Sequence, residues 1–234
     1  MKIGIIATYH DMVITAEKLR QRADVEFIIS EATYDQGVRE AERMEREGAD
    51  VIISRGATLH YIEQRCAIPT VSCAYGVMDL IYALQIAKGC GNHIGVITYE
   101  KVPVEERVIE DLFQTKITFM SGYDNPQRNL RCVMEMKEQG IDVVVGGGVT
   151  VQMAQINGMK SVLSSTRPET LENAVDEAIH MLNIIQRDRL ELEEISQIIR
   201  YASDAILLTD LSGKFLMVNE GAEKLIRDLS GGQK

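Results

Sequence analysis

Two short stretches carry the residue types best suited to chemistry, Ser54-Arg55-Gly56-Ala57-Thr58 and Gly146-Gly147-Gly148-Val149-Thr150. Each follows an apolar, β-branched run (Val51-Ile52-Ile53 and Val143-Val144-Val145), which places it at a strand-to-helix turn. Backbone N–H groups in the first turn of a helix lack intrahelical partners, and the helix dipole is positive there, so anions are attracted. Glycine allows a ligand to approach the backbone, and the hydroxyls can donate or accept hydrogen bonds. Arg55 adds a planar fork that matches a carboxylate or phosphate. One exposed helix terminus offers an anion only about 0.3–1 kcal/mol. A glycine run by itself is more often a tight turn, and a lone arginine is more often solvated or structural. Two termini and an arginine at repeat-related positions favour an anion site instead.

Other chemistries fit less well. A dinucleotide fingerprint would need a third glycine three residues after Gly148, where Val151 stands, and no Walker motif is present. The four cysteines (Cys66, Cys73, Cys90, Cys132) form no CxxC pair, and His10, His60, His93 and His180 are scattered. Neither a metal nor a cofactor is expected, and the thiols read as reduced. The strongest enzyme alternative is a two-lobed racemase with one thiol from each lobe, in which Cys73 would be the first. Its repeat counterpart is Ser164, so the second thiol is missing. Asp50 and Asp142 precede their strands and therefore fall at the wrong end for catalysis. The expectation is a binding domain without catalysis, and a protein-docking module with no small ligand is the remaining alternative.

The elements that must position these residues repeat. Strands are expected at Lys2-Ala7, Val25-Ser30, Val51-Ser54 and Thr70-Cys73, and again at His93-Thr98, Lys116-Met120, Val143-Gly146 and Ser161-Ser164. Amphipathic segments lie between them; those closed by Gly48 and Gly140 carry the expected helix stop. Ile3-Gly4-Ile5-Ile6 recurs as Ile94-Gly95-Val96-Ile97, and Gly48-Ala49-Asp50-Val51 as Gly140-Ile141-Asp142-Val143. Alternating strands and helices imply parallel sheets. The expected fold is α/β, with two similar Rossmann-like lobes facing a cleft in the manner of periplasmic binding proteins, and a long C-terminal helix. Lobe one spans about 1–73 and lobe two about 93–165, with helices at 76–89 and 168–190 crossing between or bracing the lobes. Ligands of open parallel sheets bind beyond the carboxyl ends of the strands. Thr8, His10, Ser72, Thr98 and Tyr99 therefore join the two stretches as candidate ligand contacts.

A formal charge of −10 over 234 residues argues against a nucleic-acid grip by this segment, which would want a basic face. No signal peptide is legible at Lys2-Ile3-Gly4-Ile5-Ile6-Ala7, and no run approaches the roughly 20 apolar residues of a membrane helix. A cytoplasmic location is expected.

Pro168-Glu169 marks a helix start, and apolar residues from Leu171 to Ile199 recur at spacings of three and four, predicting one helix of about 30 residues. Its charged second half reads as a linker or a coiled-coil contact between two copies. The segment from Ile198 to Ala222 then resembles the opening of a PAS domain: helix, strand, Asp/Gly turn, strand and an Asn-x-x-Ala helix start. It stops short of a complete PAS core, so 191–234 is expected to be a linker helix and a loosely held PAS beginning. With this order of parts, residues 1–190 resemble the N-terminal sensor domain of the propionate-catabolism activator family. The resemblance rests on Ser54-Arg55-Gly56-Ala57-Thr58, on Ile94-Gly95-Val96-Ile97-Thr98-Tyr99, and on Val143 to Thr150 with Gly158-Met159 and Ser164-Ser165. It implies a sigma-54-dependent regulator of the NtrC type, in which the sensor precedes an AAA+ ATPase domain and a helix-turn-helix domain. Those further domains would bring ATP, DNA and sigma-54 polymerase as partners. It also implies a small-molecule effector, which in the name-giving members is 2-methylcitrate, a tricarboxylate. The PAS-like continuation departs from the simplest members.

Overall fold

The computed structural model describes residues 1–74, 76–99, 105–121 and 126–230, and divides into two compact units, Met1–His180 and the part from Met181 onward. The first unit holds two four-stranded parallel sheets of identical topology. In lobe one, β1 (Lys2–Ala7), β2 (Glu26–Glu31), β3 (Val51–Ser54) and β4 (Thr70–Ser72) run in the order β2-β1-β3-β4. In lobe two, β5 (His93–Thr98), β6 (Lys116–Ser121), β7 (Val143–Gly146) and β8 (Lys160–Leu163) run β6-β5-β7-β8. The eight expected strands are all present, with ends shifted by about one residue where β-branched runs blur into turns. Five of the six residues of β1 and of β5 are buried, as befits central parallel strands covered on both faces.

The covering helices in lobe one are α1 (His10–Lys18), followed by a 3-10 turn at Leu19–Gln21, then α2 (Tyr34–Arg46) and α3 (Gly56–Glu63). Next in the chain comes α4 (Val77–Lys88), and lobe two adds α5 (Glu106–Phe113), α6 (Pro126–Glu138) and α7 (Gly148–Ile156). The helix α4 follows the last strand of lobe one but packs on the sheet of lobe two. Its Leu80, Ala83, Leu84 and Ala87 share a core with Ile94, Val96, Val143 and Val145. The 34-residue α8 (Pro168–Tyr201) follows the last strand of lobe two and buries Leu171, Ala174, Val175 and Ala178. Asp176 on that helix pairs with Arg22 of lobe one at 2.6 Å.

The repeat extends to fine packing. A Cβ at Gly4 would lie 2.5 Å from Ile52 Cδ1 and 2.8 Å from Met44 Sδ, and at Gly95 the Met136 sulfur occupies the same place. Asp50 Oδ2 accepts the Lys2 N–H at 2.8 Å, and Asp142 Oδ2 accepts those of Asn92 and His93 at 2.8 and 2.9 Å. Both aspartates thus clamp the amino ends of their sheets, away from the strand ends where ligands bind. The His93 and Asn92 N–H groups hold the Asp142 carboxyl below its ordinary pKa. A depressed folded pKa contributes stability above the unfolded value of about 3.9, and this is lost as pH falls through the folded value. Thermal midpoints measured from pH 6 down to pH 3 should accordingly fall less steeply in Asp142→Asn than in the parent.

In the second unit, β9 (Leu207–Thr209) and β10 (Phe215–Val218) form an antiparallel hairpin followed by α9 (Glu220–Ser230). Asn219 accounts for how the pieces meet. Its Nδ2 donates to the carbonyls of Ile199, Ala202 and Asp204, while its Oδ1 accepts the N–H groups of Ile206 and Ala222. One amide therefore closes the end of α8 and caps α9. Asn219 and Ala222 are the buried residues among those described in this unit; positions 231–234 of the PAS-like segment lie outside the described residues.

Candidate functional site

The carboxyl ends of both sheets meet around the starts of α3 and α7, and they do so reciprocally. Gly56 opens α3 with φ +55°, a conformation open to glycine, and a Cβ there would stand 3.6 Å from Tyr99 Cβ of lobe two. Gly148 opens α7, and a Cβ there would meet Tyr9 Cβ at 3.0 Å and the Thr8 carbonyl at 3.1 Å in lobe one. Each lobe thus lays the residues that follow its first strand over the helix start of the other. The His60 and Tyr99 rings also approach across the gap, with centroids 5.7 Å apart.

Arg55 is the N-cap residue of α3 and is only 4 % exposed. Its Nη1 donates to Tyr9 Oη at 3.0 Å and to Thr166 Oγ1. Tyr9 Oη in turn accepts the Thr166 N–H at 2.6 Å and shares a 2.6 Å hydrogen bond with the Thr166 hydroxyl. Thr166 lies two residues before α8. The guanidinium is therefore tied directly to the segment that launches the long helix.

The candidate hydroxyls are turned inward. Ser54 Oγ donates to the Ile6 carbonyl at 2.8 Å, Thr58 Oγ1 accepts the Tyr34 N–H at 3.2 Å, and the Thr150 hydroxyl lies 3.2 Å from Asn129 Nδ2. Gly146 makes room for Thr150, whose Cγ2 would be 2.6 Å from a Cβ at that position. Gly147 is the N-cap of α7 with extended backbone, and Ala57 sits in an apolar cluster with lobe-two residues. Thr98 is buried at the end of β5, Ser72 is exposed at the end of β4, and His10 is exposed beside Glu31 at 3.3 Å. The structure brings Thr8, Arg55, Gly56, Tyr99 and Gly148 together, and it leaves His10 exposed beside Glu31.

Sequence reasoning passed over several residues that build this region. Tyr9 adjoins the candidate Thr8, yet only its partner Thr166, 157 positions away, gives it a role. Asp79 is 1 % exposed. It stands three residues after the N-cap Gly76, a capping-box spacing that was legible, and its Oδ2 accepts the Gly76 N–H at 3.0 Å. It also accepts the Arg167 N–H at 3.2 Å and the Thr170 hydroxyl at 3.0 Å. Asp79 and Thr170 are 91 positions apart, the spacing of the repeat, so equivalent residues of α4 and α8 bond to each other.

Cys73 is buried with Sγ 4.0 Å from the Thr170 carbonyl, and burial pushes its thiol pKa up to about 11. The nucleophile of a cysteine enzyme is a thiolate, which this environment disfavours. Among the described residues no cluster of three or more His, Cys, Asp or Glu could hold a metal, and no helix is long and apolar enough to cross a membrane.

Two like parallel-sheet lobes, joined at their strand ends and continued by a long exit helix, define a two-lobed α/β domain. Residues 21–188 match the family model described as propionate catabolism activator, and the chain belongs to that family as a regulatory sensor domain. Its structure is similar, with a TM-score of 0.72 and 25 % identity, to an NtrC family transcriptional regulator from Clostridium acetobutylicum, over 79 % of this chain and 97 % of that one. Weaker similarity links it to a conserved domain protein from Vibrio cholerae (TM-score 0.41, 13 % identity, 78 % and 84 % covered). An open, ligand-free substrate binding protein with adhesive properties from Clostridium difficile follows (TM-score 0.33, 13 % identity, 78 % and 85 % covered).

Proposed function

We propose that this chain senses a small organic anion, a carboxylate, bound between the lobes, and that it does so as part of a cytoplasmic, sigma-54-dependent regulator of the NtrC type. The observation that carries the reading is Arg55: a buried cation at a helix start, at the junction of the lobes, bonded to Thr166 two residues before α8. In a nearly water-free place a charge acts more strongly than at the surface. Gly56, Gly147 and Gly148 would let the anion reach backbone N–H groups, with Thr8, Ala57, Ser72, Thr98 and Tyr99 around it and His10 at the rim. Ser54, Gly146, Thr58 and Thr150 would shape the floor through the inward bonds and close packing described above.

The sensor would occupy residues 1–190, with a linker helix and the beginning of a PAS domain over 191–234. An anion on Arg55 would alter its hold on Thr166 and thereby the start of α8, provided it favours one lobe arrangement over the other. Catalysis is not assigned to these residues; DNA and sigma-54 polymerase would be met through further domains, and the second half of α8 would pair with a second copy. A thermal-shift series with citrate, 2-methylcitrate, other small carboxylates and phosphate tests the reading. Stabilisation by a carboxylate is expected, and no shift from any of these anions would sink it.

A further inference from the structure

We propose that the outer face of α4 and α5 on lobe two docks a second copy of this chain about a two-fold axis. Met78, Tyr82 and Ile86 form one row along α4 at spacings of four, and Val108 and Leu112 form another on α5. The two helices touch, and their inner sides share one core through Leu84, Ala87, Ile109 and Phe113. The five outer residues are 45–62 % exposed. Together they expose on the order of 500 Å², the scale at which an apolar patch marks an interaction site and more than half of the roughly 800 Å² that each partner gives to a stable interface.

The repeat supplies the comparison. At the spacing of 91 that relates Asp79 to Thr170, Met78, Tyr82 and Ile86 correspond to Glu169, Asn173 and Glu177 of α8, all of them exposed. Helices equivalent in the repeat are thus polar outside at one place and apolar outside at the other, so contact with solvent alone does not account for the α4 row. The pattern fits a second copy. A row centred on Tyr82 maps onto itself when two α4 helices cross antiparallel, with Met78 against Ile86 of the partner subunit and Tyr82 at the axis. The Arg167 guanidinium lies over the Tyr82 ring, 4.3 Å from its centroid, and holds it in place. The rim mixes Lys88 and Arg107 with Glu106 and Asp111. In a chain of formal charge −10 this local balance lets two copies meet without like-charge repulsion.

The contact does not depend on what the cleft binds, so its test uses the full chain without ligand, by sedimentation velocity over a range of concentrations. The parent should self-associate. Ile86→Glu should raise its dissociation constant about tenfold or more, because a carboxylate would be buried at the contact. Ile86 is exposed in the single chain, so the thermal midpoint measured where both proteins are monomeric should not change. Tyr82→Cys, at the axis, should form an intermolecular disulfide on mild oxidation. Asn173→Cys, at the equivalent place on α8, should give no more crosslinking than the parent's own thiols. A parent that is monomeric throughout, undiminished association in Ile86→Glu, or equal crosslinking of the two cysteine variants would overturn the proposal.

Discussion

Replacing Arg55 with alanine is expected to weaken binding of a carboxylate effector by one to two orders of magnitude. A charge-assisted hydrogen bond is worth about 1.5–3 kcal/mol, and a bidentate fork on a carboxylate supplies two. The same change removes the bonds from Nη1 to Tyr9 and Thr166 inside the protein, so the ligand-free midpoint should also fall. The decisive quantity is therefore the shift on adding ligand, compared between variant and parent at matched excess. At a concentration a hundred times the parent Kd, binding stabilises by about 2.7 kcal/mol, and in Arg55→Ala this should fall to about 0.4–1.4 kcal/mol. Arg55→Lys keeps the charge but loses the fork, and should recover part of the affinity. A full ligand shift in Arg55→Ala would remove this residue from the site.

The second large effect is structural. Asp79→Ala should destabilise the first unit by about 3 kcal/mol or more, as loss of a buried charged hydrogen-bonding group typically does. The carboxylate gathers the N–H groups of Gly76 and Arg167 and the hydroxyl of Thr170, and alanine would leave all three without it. These groups lie at the starts of α4 and α8, the two helices that follow the last strand of each lobe. Asp79→Asn should cost less, because its remaining oxygen can still accept while its amide cannot. Equilibrium urea unfolding of the two variants measures this; equal stability of Asp79→Ala and the parent would show that the bonds are replaced by water at little cost.

Both predictions rest on residues unequally visible in the sequence. The strand pattern, the near-exact repeat at Ile3-Gly4-Ile5-Ile6 and Ile94-Gly95-Val96-Ile97, and the glycine stops of α2 and α6 are local signals, and each corresponds to an element of the fold. Arg55 stood out because it follows a β-branched run and precedes a helix, which is again local. Tyr9, Asp79 and Thr166 carry no comparable signal beyond the capping spacing of Asp79. Their partners lie far along the chain: 157 positions for Tyr9 with Thr166, 111 for Arg55 with Thr166, and 88 for Asp79 with Arg167.

The chain's own pattern determined two like parallel-sheet lobes, a long exit helix and the placing of Ser54 to Thr58 and Gly146 to Thr150 at strand ends. Periodicity of two or 3.6 residues expresses which side of a strand or helix is apolar, and that is written within a few residues. Only the tertiary structure decided that the hydroxyls of Ser54, Thr58 and Thr150 turn inward, that Ala57 sits among apolar residues of lobe two, and that Arg55 is tied to Thr166. A hydrogen bond needs its two groups within about 3 Å, and which groups come that close is settled by how the lobes dock.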